Sequence, residues 1–545
     1  MQPCNVLLVS PAFPLNTFWN IKVTCEVAGA RHSAIPLGLI TVAAMLPAEW
    51  SCRLVDQNVS QLTSADLDWA DLVMIGGMNI QRIGCLQVIE QAQRHGKPVA
   101  VGGPDASSQP EVYAHADFVV AGEAEDIIHE FVDAWRRGDR RGNFTAPKFT
   151  ADVTKTPIPR FDLLHPGGYL YLAVQFSRGC PFNCEFCDII ELYGRRPRVK
   201  TVPQFLAELE ALYRTGYRGQ LDFVDDNFIG NKKAVKAMLP ALIEWQKDRS
   251  YPFWFSTEAS INLADDDDLL ALMRAANFAI VFVGIESPDS DTLVSMQKKQ
   301  NTRRVLADSV HKIYASGIFV IAGFIVGFDS ERSNVAPQMV QCVEDTSIPI
   351  CMVGLLAALP NTQLSKRLER EGRLFPFEWL EHALRDRGGD QCTLGLNFRT
   401  LRPRRAVLTD YKQVIDAIYT PSAFFARARH VTQQLAQWPP HPTSSAMPDT
   451  AEWQWLGLRR SDWLGLLRLL RAAGRAHPVI FWHVASALVW SLRKRPAALY
   501  AMATFAAFYV HLGPFARSVS GAAAQQIAEI DHGEAGAAAR DYALS

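Results

Sequence analysis

The chain has 545 residues, more than one hydrophobic core serves at roughly 100–200 residues per domain, so three or four domains are expected. A composition of 48% hydrophobic and 20% charged residues excludes a disordered, collagen-like or low-complexity chain. Lys and Arg number 55 against 56 Asp and Glu, and a net charge of -1 gives no overall field that would gather nucleic acid. The 10 cysteines are too sparse for a disulfide framework, and MQPCNVLLVS enters a buried-strand pattern without a basic leader or cleavage site. A reducing cytoplasm is therefore expected, with clustered cysteines serving metal or redox chemistry.

In chain order, apolar runs at Val6–Val9, Cys52–Val55, Leu72–Ile75, Pro98–Val101 and Phe118–Val120 alternate with helix-like stretches such as Leu37–Leu46 and Ile80–Arg94. This rhythm predicts a doubly wound, Rossmann-like α/β domain over residues 1–140. Ligands of such sheets lie beyond the strand carboxyl ends, which here carry Ser10, Asp56 and Asn58, Gly76, Gly77 and Asn79, and Gly102, Gly103 and Pro104. Paired glycines permit a close backbone approach to a large ligand, although any single pair also suits a tight turn.

Residues 141–168 lack apolar periodicity, carry Pro147, Pro157 and Pro159, and are expected to be a linker. From 169 to 375 a second alternation follows, with strand-like Leu172–Phe176, Leu221–Val224, Phe253–Thr257, Ile280–Ile285, Ile318–Val326 and Cys351–Leu359. Six such units predict a partial (β/α)6 barrel of TIM type, with reactive groups on the loops after the strands. Residues 376–545 read as a mainly helical region, interrupted by a loop at 438–448. Within it, 478–492 and 496–516 lack charged residues and are bordered by Arg493, Lys494, Arg495 and Arg517. His511, Gly513 and Pro514 interrupt the second stretch, so buried core helices are favoured over membrane spans, with peripheral membrane contact as the alternative.

The chemistry is carried by Arg178-Gly-Cys-Pro-Phe-Asn-Cys-Glu-Phe-Cys-Asp188, directly after the first barrel strand. Cys180, Cys184 and Cys187, spaced C-x3-C-x2-C, can hold three irons of a [4Fe-4S] cube and leave the fourth open. Structural zinc would need a fourth ligand, and no second Cys or His pair stands nearby.

This loop and its position resemble the signature of the radical S-adenosylmethionine (SAM) superfamily, and joined to a doubly wound N-terminal domain it resembles the cobalamin-binding branch. The resemblance implies three cofactors: the [4Fe-4S] cluster, SAM chelated at the open iron, and cobalamin. It assigns Phe186 a backbone contact to adenine, and Asp225, Asp226 and Asn227 the place of the motif that holds the SAM amino group, where Gly-Gly-Glu is usual. Glu258 and Glu286, at the ends of strands three and four, are candidates for ribose or sulfonium contact, with an N-cap or surface ion pair as competing roles. Gly323 and Gly327 resemble the family's glycine motif beside adenine, with its trailing acid displaced to Asp329 or Glu331, and Pro360 lies in the last adenine-contacting loop. The Asp-x-His-x-x-Gly motif that supplies a cobalt ligand elsewhere is absent, and His32 and His115 are the only nearby histidines of note. Cobalamin is therefore expected without a protein imidazole, its corrin held by the loops at 56–58, 76–79 and 102–104.

Further segments, among them 188–195, 224–231, 242–247 and 359–374, resemble the subgroup that includes hopanoid C-2 methyltransferases, a likeness that spans roughly residues 1–430. The resemblance implies methylation of an unactivated carbon: a 5'-deoxyadenosyl radical abstracts hydrogen, the substrate radical takes methyl from methylcobalamin, and a second SAM restores the methyl. Tyr193 and Asp188 are candidates for a substrate-facing group that positions or deprotonates, with packing as the commoner role of a tyrosine near a barrel mouth, and no catalytic side chain is assigned. A non-methylating radical cyclase or rearrangement enzyme, and an iron-sulfur or cobalamin sensor without turnover, are the alternatives. Expected partners are a small-molecule or lipid substrate and a low-potential electron donor such as flavodoxin or ferredoxin, without nucleic acid.

Overall fold

A computed structural model describes residues 3–376, 393, 395–435, 438, 439, 441 and 460–533. Most of the expected 438–448 loop lies outside these.

Six strands form the first sheet: β1 (Asn5–Ser10), β2 (Ser51–Asp56), β3 (Leu72–Gly76), β4 (Val99–Gly102), β5 (Phe118–Ala121) and β6 (Gly142–Thr145). All neighbours are parallel in the order β2-β1-β3-β4-β5-β6, so the winding reverses between β1 and β3. Val6 to Val9 are wholly buried because helices cover both faces, which is why β1 reads as an unbroken apolar run.

The expected linker at 141–168 is corrected by this sheet. Its first residues form β6, in register with β5 from Phe118 and Gly142 onward, and Ala151, Val153, Phe161 and Leu164 are buried. The strand Gly-Asn-Phe-Thr has a single large apolar residue, Phe144, which packs on Phe118 and Phe131, so no apolar run marks it in the sequence.

The second sheet contains β7 (Leu172–Val174), β10 (Gly219–Phe223), β11 (Phe253–Glu258), β12 (Phe278–Glu286), β13 (Phe319–Val326) and β14 (Cys351–Leu355). They pair in parallel in chain order, and β7 and β14 remain unjoined, giving the open, partial barrel. A short antiparallel pair, β8 (Ser177–Arg178) with β9 (Arg198–Val199), brackets the cysteine loop.

Helices Arg404–Ile418, Pro421–Gln434, Arg460–Ala476, Pro478–Lys494 and Leu499–Asp531 make up the described part of the C-terminal region. The last corrects the expected interruption: it runs unbroken through His511, Gly513 and Pro514. An interior proline forfeits one backbone bond, but dense packing compensates, with Tyr509, Val510, Leu512 and Phe515 all buried. Pro496–Asp531 is long and apolar enough to cross a membrane by length and composition, yet 67% of its most apolar window is buried inside the protein. Its face contributes to one core continuous with the barrel and with Phe18, Val27 and Ile35 of the first domain.

Candidate functional site

Gly179 begins the cysteine loop with φ +98, and a Cβ there would lie 3.0 Å from the Arg196 carbonyl oxygen, so the tight approach of the two strands requires glycine. The Cys180 N–H donates to Gly194 O and the Cys187 N–H to Cys184 O; Leu364 N–H, in the first turn of the helix Gln363–Arg370 that follows β14, donates to Glu185 O. Side-chain amides reach the sulfurs: Asn227 Nδ2 lies 3.9 Å from Cys180 Sγ and Gln300 Nε2 3.7 Å from Cys184 Sγ. Burial, followed by the charges of Asp188 and Cys184, pushes the Cys187 thiol well up. Among the described residues no three His, Cys, Asp or Glu side chains converge to grip a single metal ion. That donor set fits an iron-sulfur cube, in which each thiolate takes a separate iron and N–H donors tune the sulfurs.

The strand ends form a ring around this loop. Asp225 is completely buried and committed to local structure, accepting from Phe176 N–H and Ser177 N–H at 2.8 Å each and from Ser177 Oγ at 2.6 Å. Burial pushes its carboxyl up to about 7. Asp226 accepts from Gly179 N–H at 2.6 Å and is raised by burial to about 6. Of this expected trio, Asn227 alone reaches a cluster sulfur.

Glu286 takes a left-handed conformation at φ +65, which turns its carboxylate back over Gly284, where a Cβ would lie 2.3 Å from Oε1. Lys298 Nζ is 2.5 Å from Glu286 Oε1 and 5.8 Å from the Phe186 ring centroid. The site of Gly323 lies against the same carboxylate, with its Cβ position 3.8 Å from Glu286 Oε2. Phe186, Glu286, Gly323 and Lys298 thus converge beside the cysteines, and Lys298 is a member that the sequence reading lacks. Glu286 is neither an N-cap nor a surface pair. The displaced acids also separate: Glu331 accepts twice from the Gly327 N–H, at 3.0 and 2.9 Å, while Asp329 pairs with Arg367 and Arg373. Pro360 precedes Asn361, whose Nδ2 donates to Ser108 O of the first domain at 2.6 Å.

A cofactor-sized cavity opens where the carboxyl ends of β1 to β5 face the barrel mouth. Ser10, Asp56, Asn58, Gly76, Gly77, Gly102, Gly103 and Pro104 all line it; Asn79, in a 3-10 turn, does not. Asp56 and Asn58 also shape their own loop: Asp56 accepts from Asn58 Nδ2 at 2.6 Å and Tyr169 OH at 3.0 Å. The glycines allow close packing: a Cβ on Gly103 would lie 3.2 Å from Gly77 N in the neighbouring loop, and one on Gly77 would lie 2.6 Å from Cys85 Sγ of the helix that follows. His32 forms part of the wall, stacked on Phe13 at 5.4 Å, and burial lowers its imidazole to about 4, which leaves it neutral. His115 is exposed and lies outside the lining. Apolar Leu37, Leu39, Val42 and Met45 combine with the backbone-edged loops into a wall suited to a large macrocycle such as a corrin. Tyr193 lines this cavity, and Asp188, half-buried in the same segment, has its carboxyl raised by desolvation.

A second cavity, about 540 Å³, extends through the barrel toward the C-terminal helices. Its walls combine Phe18 and Val27 with barrel residues Trp254, Ile280 and Phe282, and with Leu469, Ala503 and Phe508. The two cavities share Trp19, Ser33, Tyr171, Asp222 and Glu258. Burial pushes Asp222 up to about 6 and, reinforced by the Asp222 charge, raises Glu258 well above the carboxylate range. Asp222 accepts from Ser256 Oγ. An acid in the strand Gly-Gln-Leu-Asp-Phe is the signal from which sequence reasoning could have found this pair.

Arg178, two residues before Cys180, ties the halves together. Its guanidinium reaches Glu123 at 2.9 Å and Glu125 at 2.8 Å, and Arg198 reaches the other Glu123 oxygen at 2.8 Å, all from nearly buried side chains. Burial alone would raise Glu125, but the Arg178 charge and its hydrogen bonds outweigh it and hold the carboxyl at about 2.

Comparison with known proteins matches residues 24–132 to the B12 binding domain, 174–334 to the Radical SAM superfamily and 362–525 to a domain of unknown function, DUF4070. An uncharacterized methyltransferase of Synechocystis is 46% identical over 77% of each chain. The hopanoid C-2 methylase of Rhodopseudomonas palustris is 39% identical over 72% of each. The cobalamin-dependent SAM radical enzyme OxsB, solved with aqua-cobalamin and SAM, shares the fold at TM-score 0.57 and 16% identity, covering 90% of this chain and 73% of its own.

Proposed function

The chain belongs to the cobalamin-dependent radical SAM methyltransferases, and from that premise we propose that it methylates an unactivated carbon of an apolar polycyclic scaffold of the hopanoid kind. The observation that carries this reading is the apolar 540 Å³ cavity that adjoins the cofactor cavity, with Asp222 and Glu258 in the shared wall. A rigid hydrocarbon gains roughly 25 cal/mol for each Å² it buries there, while a small polar substrate would leave those walls without partners. The 39% identity to a hopanoid C-2 methylase supports the same substrate class.

The bound cofactors supply the hydrogen abstraction and the methyl group. Cys180, Cys184 and Cys187 would hold the cluster, and Phe186, Asn227, Glu286, Gly323 and Lys298 the SAM beside it. The loops of Ser10, Gly76 and Gly77, and Gly102 to Pro104 would hold the corrin. Burial and the neighbouring Asp222 charge hold the Glu258 carboxyl well up, so the junction of the cavities carries less negative charge than its two acids would in water. The apolar walls that the helices supply surround the reactive carbon with few groups that hold water. We place this chemistry in the cytoplasm, where a reducing pool preserves the thiols and a flavodoxin or ferredoxin supplies low-potential electrons, and we place the helical end against a membrane.

The test is a mass spectrum of hopanoids from a hopanoid-producing host that lacks its own C-2 methylase, grown anaerobically with cobalamin and with or without this gene. A new methylated hopanoid is the expected result. Its absence, with expression and cofactor loading verified, would overturn the substrate assignment.

A further inference from the structure

The hairpin of helices Arg460–Ala476 and Pro478–Lys494 presents large apolar side chains outward. On the first, Leu464 and Leu467 are exposed; on the second, Val479, Trp482, Val489 and Leu492. Trp482 is 70% and Leu467 62% exposed, whereas Leu469, Ala473, Val484 and Ala487 on the opposite stripes are buried. The exposed positions recur at helical spacing, which makes them stripes rather than scattered exceptions.

Charge distinguishes this face further. The sequence contains no Asp or Glu from 463 to 528, while Arg471, Arg475, Arg493 and Lys494 border the apolar stripes and are exposed. None of these four forms an ion pair with a described residue. Apolar side chains ringed by cations that pair with no described residue complement an anionic bilayer, where the apolar groups enter the acyl boundary and the cations meet phosphates. A second copy docking on the same face would bring these cations against themselves.

The cavity described above reaches the surface beside this patch. Arg468 and Tyr500 both line it and are exposed, one on the first hairpin helix and the other at the start of the terminal helix. We propose that this hairpin docks peripherally on an anionic lipid surface and that the apolar substrate passes from the bilayer into the cavity at Arg468 and Tyr500. The inference rests on the substrate class proposed above and adds the surface, the lipid chemistry and the route.

The test uses the full-length, cofactor-loaded protein in sedimentation with vesicles of phosphatidylcholine alone and of phosphatidylcholine with one third phosphatidylglycerol. Wild type is expected to bind the anionic vesicles, more weakly as salt rises, and W482E and the double variant R493E/K494E each to weaken binding by about tenfold. Both variants are expected to turn over detergent-dispersed substrate as wild type does and to lose turnover on substrate held in vesicles. Absence of vesicle binding by wild type, or equal binding by wild type and both variants, would overturn the proposal. So would a wild-type dimer, by mass measurement in solution, that W482E dissolves. If no preparation methylates a hopanoid in detergent, the substrate reading fails, while vesicle binding still judges the docking surface.

Discussion

Cys180, Cys184 and Cys187 do their work as separate anchors, so loss of any one should remove the cluster without disturbing the cavity under β1 to β5. Each Cys→Ala variant is expected to abolish deoxyadenosine formation while retaining cobalamin near the wild-type amount, as read by product chromatography and by the absorbance of bound corrin. Asp222 illustrates how burial converts into pH dependence. Its carboxyl titrates at about 6 in the folded chain against an ordinary 3.8, so between these values the folded state holds a proton that the unfolded state has lost. Stability from this group is complete below about pH 4 and is lost as pH rises toward 6, with Glu258 acting in the same direction. Asp222→Asn should flatten that slope, and denaturant midpoints across this range measure it. The residue scale is also where the sequence informs least about partners. Glu286 is visible as an acid after an apolar run, but Lys298 lies on another loop, and only the left-handed turn at Glu286 brings them together.

Between elements, the joint that matters links β8 to the first domain. Arg178 and Arg198 grasp Glu123 and Glu125 from the strands that bracket the cysteine loop, so the position of the cluster relative to the cofactor cavity depends on a nearly buried ion network. Removing one partner of such a network strands a buried charge, at a cost of about 3–5 kcal/mol. Arg178→Met is therefore expected to lower the thermal midpoint and to lose cobalamin on gel filtration, while Arg195→Met, on the exposed side of the same loop, should do neither. The short edge strand β6 and the unbroken terminal helix teach the same lesson from opposite directions. The first has too little apolar sequence to announce itself and exists because Phe144 completes an aromatic cluster. The second carries a proline that should end it and continues because its surroundings bury it.

At the scale of the whole molecule, three regions enclose two adjoining cavities: the doubly wound sheet walls the outer one, the open barrel lies between them and the C-terminal helices wall the apolar one. Filling the last should separate the chemistry of the cofactors from that of the substrate. Ala503→Trp, on the terminal helix, is expected to reduce methylated product at least tenfold while deoxyadenosine still forms, a split that paired product assays would measure. Persistence of full methylation would place the substrate elsewhere. The sequence by itself determined the two parallel sheets and the three-cysteine loop, because strand periodicity and a compact C-x3-C-x2-C spacing are local in the chain, while SAM and cobalamin were implied by the family that this loop resembles. Only the tertiary structure decided that Lys298 faces Glu286, that Arg178 binds the two domains, that Asp222 and Glu258 guard a junction of cavities, and that the last helices wall the apolar space. Each of these depends on side chains distant in sequence meeting in a low-dielectric interior, where register, burial and charge are set by the packed whole.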